Sequence, residues 1–294
     1  MTTIQIGQQA VPLEAHVDII VLCVGLIAVY VGLIRKYQPI LAPDGEPIVT
    51  VRQRVWFGLG VLSLWVASGS PLHTLADQYL FSAHMLQHLV QAFVLAPLFI
   101  MGTPGWMLEV ITRPVWIRSF LRTFGAPLIA GLLFNVVLLG IHWPVIVALM
   151  VNSALFHAVM HLTLVLASLL MWLPLLSNSE EVVPRMAPLA RMGYLFAMTI
   201  LPTVPASFLT FAPLDRPLFP VYDQFPRIWE YMTVGQDMLV AGLLMKTGGG
   251  FLLWGIIATM FFRWALAEER REHARPHAPV PSDAPDVPAP ADAS

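Results

Sequence analysis

Seven stretches of the chain stay apolar long enough to form membrane helices: 17–34, 53–69, 80–101, 126–142, 155–176, 190–211 and 234–264. A helix needs about 20 mostly apolar residues to cross a hydrocarbon core of ~30 Å. Each stretch therefore reads as one span. The pattern between 143 and 154 is interrupted by Asn152 and Ser153, which predicts a short segment lying at the membrane interface before the fifth span. The expectation is an all-α, polytopic membrane helix bundle over 17–266, with seven transmembrane helices. Residues 1–16 read as a short extracytoplasmic N-terminus. From 267 the chain becomes charged and then Ala/Pro-rich, which predicts a disordered cytoplasmic tail over 267–294, because such a segment has no apolar face to bury.

Composition sharpens this picture. The chain is 57% hydrophobic and 12% charged, about half the charge of an ordinary soluble domain. A formal net charge of −2 with no basic face argues against nucleic acid as a partner. The single cysteine, Cys23, cannot form an intrachain disulfide or supply a thiolate cluster. The first sixteen residues lack a positively charged region, so the first apolar stretch reads as a true span rather than a cleaved signal.

Basic residues collect on the cytoplasmic side of membrane proteins. Here thirteen of the 16 Lys and Arg fall on one side of the predicted bundle. They comprise Arg35, Lys36, Arg52 and Arg54, then Arg113, Arg118 and Arg122, then Arg185 and Arg191, and finally Arg263, Arg270, Arg271 and Arg275. The other side has only Arg216 and Arg227, and Lys246 lies inside a span. This bias predicts the N-terminus outside and the C-terminus in the cytoplasm.

Candidate chemistry lies within two spans. The third carries "HMLQH", with His84 and His88, and the fifth carries "HAVMH", with His157 and His161. Residues four apart share a helix face, so each pair can direct two ring nitrogens at one ion at ~2.0 Å. Both spans run from outside to inside, which puts both pairs in the outer half of the bundle. His142 ends the fourth span on that side, His73 and Asp77 precede the third, and Gln236 and Asp237 begin the seventh. A lone intramembrane histidine is commonly a hydrogen-bonding residue between helices. Two same-face pairs on parallel spans, with an acid nearby, point instead to a metal site. Imidazole suits copper, zinc and iron alike, and thioether beside imidazole suits Cu(I). Met85 and Met160 lie inside the two motifs, although methionine is also ordinary core filler.

At these residues the chain resembles the CtaG-type cytochrome c oxidase assembly factors, the multi-span family associated with caa3-type oxidases. The likeness runs from about Trp56 to Trp264 and is most specific over "SPLHTLADQYLFSAHMLQHLVQAFVLAPLFIMGTP" at 70–104. Further blocks are "FHAVMHLTLVLASLLMWLPLL" at 156–176 and "QDMLVAGLLM" at 236–245. The family commonly has an aromatic where Lys246 stands, and Asp-Gln where this chain reads Gln236-Asp237.

The resemblance implies a multi-pass protein of the bacterial plasma membrane. It implies a role in forming active haem-copper oxidase through copper handling, with oxidase subunits or other assembly factors as partners. Carried onto this chain, the metal set is His84, Met85, His88, His157, His161 and Asp237. The expected function is therefore an assembly factor rather than an enzyme, with a copper ion at an outward-facing intramembrane site. Two alternatives use the same residues. One is an intramembrane zinc-dependent lipid amidase or esterase, drawing on the histidines, Asp237 and Ser82. The other is a haem-binding electron carrier. The oligomeric state stays open.

Overall fold

A computed structural model describes residues 3–273. The chain opens with a two-stranded antiparallel hairpin, β1 (Thr3–Ile6) and β2 (Gln9–Pro12), where the sequence reading placed only a short N-terminal segment. Gly7 at the turn has φ +55°, a conformation that glycine adopts without steric cost. The hairpin is tied down far along the chain. The Gln8 amide donates to the Ile228 carbonyl at 2.9 Å, and Val11 is buried against Tyr79 and Ile228.

The helices follow in order. α1 (Val17–Leu41) and α2 (Val51–Ser68) form a hairpin, and Thr50 and Gln53 close a reciprocal capping box at the start of α2. The short α3 (Pro71–Gln78) leads into α4 (Phe81–Val90), which continues through a π-turn (Gln91–Leu95) into α5 (Ala96–Gly102). Next come α6 (Gly105–Ile111), α7 (Val115–Phe124), α8 (Pro127–Ile141), α9 (Pro144–Asn152) and α10 (Ala154–Leu176). α11 (Pro188–Ile200), α12 (Thr203–Phe211) and a 3₁₀ turn (Pro220–Gln224) precede α13 (Val234–Leu243). A second π-turn (Leu244–Gly248) joins α13 to α14 (Gly249–His273).

Among the described residues, six helical stretches are long and apolar enough to cross a membrane: Val17–Leu41, Val51–Gln78, Phe81–Gly102, Ala154–Leu176, Pro188–Phe211 and Val234–His273. The expected fourth span differs. α8 has 15 residues, about 22 Å at 1.5 Å per residue, short of a full crossing. It qualifies only together with α7, and that pair is bent by 82° at the Gly125-Ala126-Pro127 break. The bundle thus has six candidate spans, or seven with the bent pair counted as one. It is an all-helical, multi-pass architecture. The interrupted region at 143–154 forms a separate helix, α9, after which Ser153 caps α10 by accepting from the Phe156 amide.

The tail boundary moves. α14 continues to His273, so 267–273 is helical rather than part of a structureless tail. The run Ala265–Arg271 consists of strong helix formers, and Arg271 pairs with Glu268 one turn back. The rest of the predicted tail, 274–294, lies outside the described residues.

The core gathers α4, α8, α10, α11 and α13 around Phe81, Phe93, Phe134, Met171, Trp172 and Leu195. The first π-turn has a visible cause and a visible remedy. Pro97 offers no N–H to the carbonyl four residues back. The Ala96 amide bonds to the Gln91 carbonyl, which leaves the Ala92 carbonyl without a helical donor. The indole of Trp172 on α10 donates to that carbonyl at 2.8 Å. Irregular helix inside a membrane bundle survives where a neighbour re-satisfies the freed backbone group. Further along the same span, Gly102 packs directly on the backbone of Phe57, where a β-carbon would clash, so α5 and α2 touch backbone to backbone.

Candidate metal centre

α4 begins at a residue that cannot cap it. Leu80 has no side-chain acceptor for the first helical amides. The acceptor comes from α13. Asp237 takes the Phe81 amide on Oδ2 at 2.6 Å and the Ser82 amide on Oδ1 at 3.1 Å. A carboxylate at a helix N-terminus also complements the helix dipole. Gln236 beside it forms a capping box with Thr233, which starts α13. The order Gln236-Asp237 therefore serves two helices at once.

With its start fixed, α4 and the π-turn that continues it present His84, His88 and Gln91 along one stripe, at i, i+4 and i+7. α10 presents His157 and His161 opposite, and all four histidines are buried. Ring centroids lie 4.3 Å apart for His84–His88, 4.4 Å for His157–His161 and 4.8 Å for His88–His161. Among the described residues one group of three side chains brings candidate ligand atoms within 4.8 Å of one another: His84, His88 and His161. Four ligands bound tetrahedrally at ~2.0 Å sit about 3.3 Å apart. The His88 and His161 Nε2 atoms stand at that spacing, 3.3 Å. His84 and His88 each leave Nδ1 buried without a partner, and buried polar groups ordinarily have one.

The other expected ligands stand elsewhere. His157 adjoins the group of three: its Nε2 is 2.8 Å from the His161 Nε2, and its Nδ1 is 2.9 Å from a carboxylate oxygen of Asp77. Met85 turns away from the stripe and faces His142, with Sδ and Nε2 at 3.1 Å. Asp237 has both oxygens on α4 amides, as described above. Ser82, which shares that contact, contributes its backbone there.

Gln87 and Gln91 are the site residues that sequence reasoning missed. Both are buried beside the histidines, and the helix stripe was the signal that could have found Gln91. Gln91 Nε2 donates to His161 Nδ1 at 3.0 Å and to Ser68 Oγ at 3.2 Å. Gln87 Nε2 reaches His73 Nδ1 at 3.0 Å. With Gln91 donating, His161 carries its proton on Nε2 and passes it toward His157, which donates from Nδ1 to Asp77. Every donor in the chain Gln91–His161–His157–Asp77 points the same way.

Two spaces meet this cluster. A groove of about 1020 Å³ runs between α1 and α10, apolar for most of its length. Its polar end is lined by His16, His73, Asp77, Gln87, His157 and His161. His16 and His73 stack edge to face at 4.7 Å, which extends the line of imidazoles toward the N-terminal segment. On the other side a void of about 10 Å³ touches His84, Met85, His88, His142 and His157. Tyr222 closes its rim, and burial, with help from the Asp77 and Asp237 charges, pushes that phenol above its ordinary value. The histidine set suits a first-row cation held by nitrogen.

Lys246, in the second π-turn, lies on the bundle surface with its ammonium 5.7 Å from the Phe211 ring centroid. Gly248 and Gly249 lie against Leu89 and Phe93, so this turn packs on α4.

No curated protein and no solved structure matches the chain. The model of one family does, across residues 28–267. It is described as the cytochrome c oxidase caa3 assembly factor family, and this chain belongs to it.

Proposed function

We propose that this protein supports assembly of a haem-copper oxidase in the bacterial plasma membrane by holding copper at the His84–His88–His161 site. His157 stands beside that site as a further ligand or relay. Family membership carries the assembly role, and the convergence of three buried imidazoles from two helices carries the metal. Metal-bound histidines usually give their second N–H to a carboxylate or carbonyl. Asp77 already accepts from His157. The Gln91 Oε1 is buried and unpartnered. Turning that amide over would set its carbonyl against His161 Nδ1–H and free Nε2 for the ion. Copper is preferred over zinc because thioether sulfur lies next to the set. A zinc hydrolase would need Asp237 free, and its carboxylate is engaged with α4.

The bias of Lys and Arg supports an extracytoplasmic N-terminus and a cytoplasmic C-terminus. The site then lies toward the outer surface, and the imidazole line from His16 through His73 to His157 supplies exchangeable ligands along a way in. The recipient is an oxidase subunit or another assembly factor.

The test is metal analysis of the full-length protein purified in detergent, beside oxidase activity in the producing strain. Wild type should retain copper. His84→Ala with His161→Ala should lose that copper and most oxidase activity. Unchanged copper in the double variant would end the assignment.

A further inference from the structure

Outside the three-imidazole set, one close contact joins two electron-pair donors with no hydrogen between them. His142 follows the last turn of α8. Its Nδ1 lies 2.6 Å from the Leu138 carbonyl oxygen, which can only accept. Nδ1 therefore carries the proton, and the Nε2 of the neutral ring presents a bare lone pair. That lone pair faces the sulfur of Met85 at 3.1 Å. A thioether has no hydrogen to give. Both side chains are buried, at 7% and 2% exposure. Two acceptors face to face in a water-poor interior gain nothing from each other, whereas a soft cation between them would take both pairs.

Imidazole with thioether is a donor set for Cu(I). Bonds of ~2.0 Å to nitrogen and ~2.3 Å to sulfur span roughly 3–3.5 Å between the donors, and the observed spacing falls in that range. The void of about 10 Å³ touches Met85, His88 and His142 together with His84. A neighbouring space of about 30 Å³ is also lined by Met85, His88 and His142, and adds Met198 and Met245. His88 is common to both and stands between the clusters. Its ring centroid is 4.8 Å from His161 and 5.9 Å from His142, and its Nδ1 is unpartnered.

We propose that Met85 and His142, with His88 shared, form a second metal site, selective for a soft monovalent cation such as Cu(I), which exchanges ions with the three-imidazole site through His88. This rests on the copper reading of that first site. The transfer swaps one nitrogen ligand for another at constant charge on the metal, so it needs neither oxidant nor reductant.

The experiment loads the full-length protein with Cu(I) under anaerobic conditions, removes the excess, counts copper per chain and records its X-ray absorption. Wild type should hold two copper ions, with sulfur among the ligands. Met85→Leu, a swap that nearly conserves volume, should hold one copper with nitrogen ligands only, and His142→Ala should do the same. Met198→Leu should keep the sulfur signal of wild type. His84→Ala with His161→Ala should hold one copper with sulfur retained. A wild-type protein with one copper bound by nitrogen alone, or a sulfur signal unchanged in Met85→Leu, would overturn the second site and leave the first standing. Two coppers retained in the His84/His161 variant would remove the first site and the exchange built on it. No copper in wild type would remove both.

Discussion

Asp237 shows how one side chain can decide the geometry of another helix. Among the described residues its carboxylate is the only side-chain acceptor for the first amides of α4, and His84 lies one turn further on. An amide left buried and unpaired costs about 1–3 kcal/mol. Asp237→Ala should therefore lower the thermal midpoint of the purified protein and loosen metal retention, although the residue touches none of the four histidines' bonds recorded above. Asp237→Asn keeps one acceptor oxygen and should fall between the two. Wild-type stability in Asp237→Ala would show that α4 does not depend on this cap. The paired histidines were legible in the sequence because helix periodicity alone puts i and i+4 together. The role of Asp237 was not legible, since nothing local links it to an amide 155 residues earlier. Met85 was expected with the paired histidines but lies off their stripe: it adjoins His84 in the chain, yet one residue is about 100° of helix turn, and that aims it at His142.

Among the described elements, the third span is one of two that carry a π-turn. Its π-turn lies directly beyond the histidines and is held by the indole of Trp172, which takes the Ala92 carbonyl. Trp172→Phe retains an aromatic ring but leaves that carbonyl without a donor. It should cost about 1–3 kcal/mol, measured as a lower thermal midpoint in detergent, and it should bring hydrogen exchange to the amides of the turn. Protection unchanged from wild type would mean that the turn is held some other way. The sequence located the spans well where apolar runs were long and flanked by polar loops. It missed the break at Gly125-Ala126-Pro127 because α7 is amphipathic, and a hydropathy run reads only the apolar α8. The N-terminal hairpin escaped notice because four-residue strands carry almost no periodic signal. The Gly7 turn was the one clue.

The described bundle gathers His16, His73, His84, His88, His142, His157 and His161 near one end, beside the N-terminal hairpin and away from most of its basic residues. If that end faces outward, as the charge bias supports, a reporter fused after Ser294 should be active in the cytoplasm. A cysteine introduced at Thr3 should then react with an impermeant thiol reagent that reaches the outer face of the plasma membrane of intact cells. Labelling only after lysis would invert the orientation, and with it the outward-facing metal site. Family and bundle were both legible from sequence, because apolar runs and a dense motif are local. The second cluster at Met85 and His142 was not, because it joins two helices that share no motif.

The π-turn at Gln91–Leu95 has one last implication, which concerns phase. Five residues there occupy a turn that an α-helix would complete with fewer, so the span carries a surplus. Excising that surplus would let the turn rewind to regular helix with its two ends still in phase. Rewinding it with every residue kept would instead swing everything beyond by about 100°. Gly102 would then leave its seat on Phe57 while His84 and His88 kept theirs. The imidazole face at one end and the glycine face at the other are thus indexed to each other by the width of this turn.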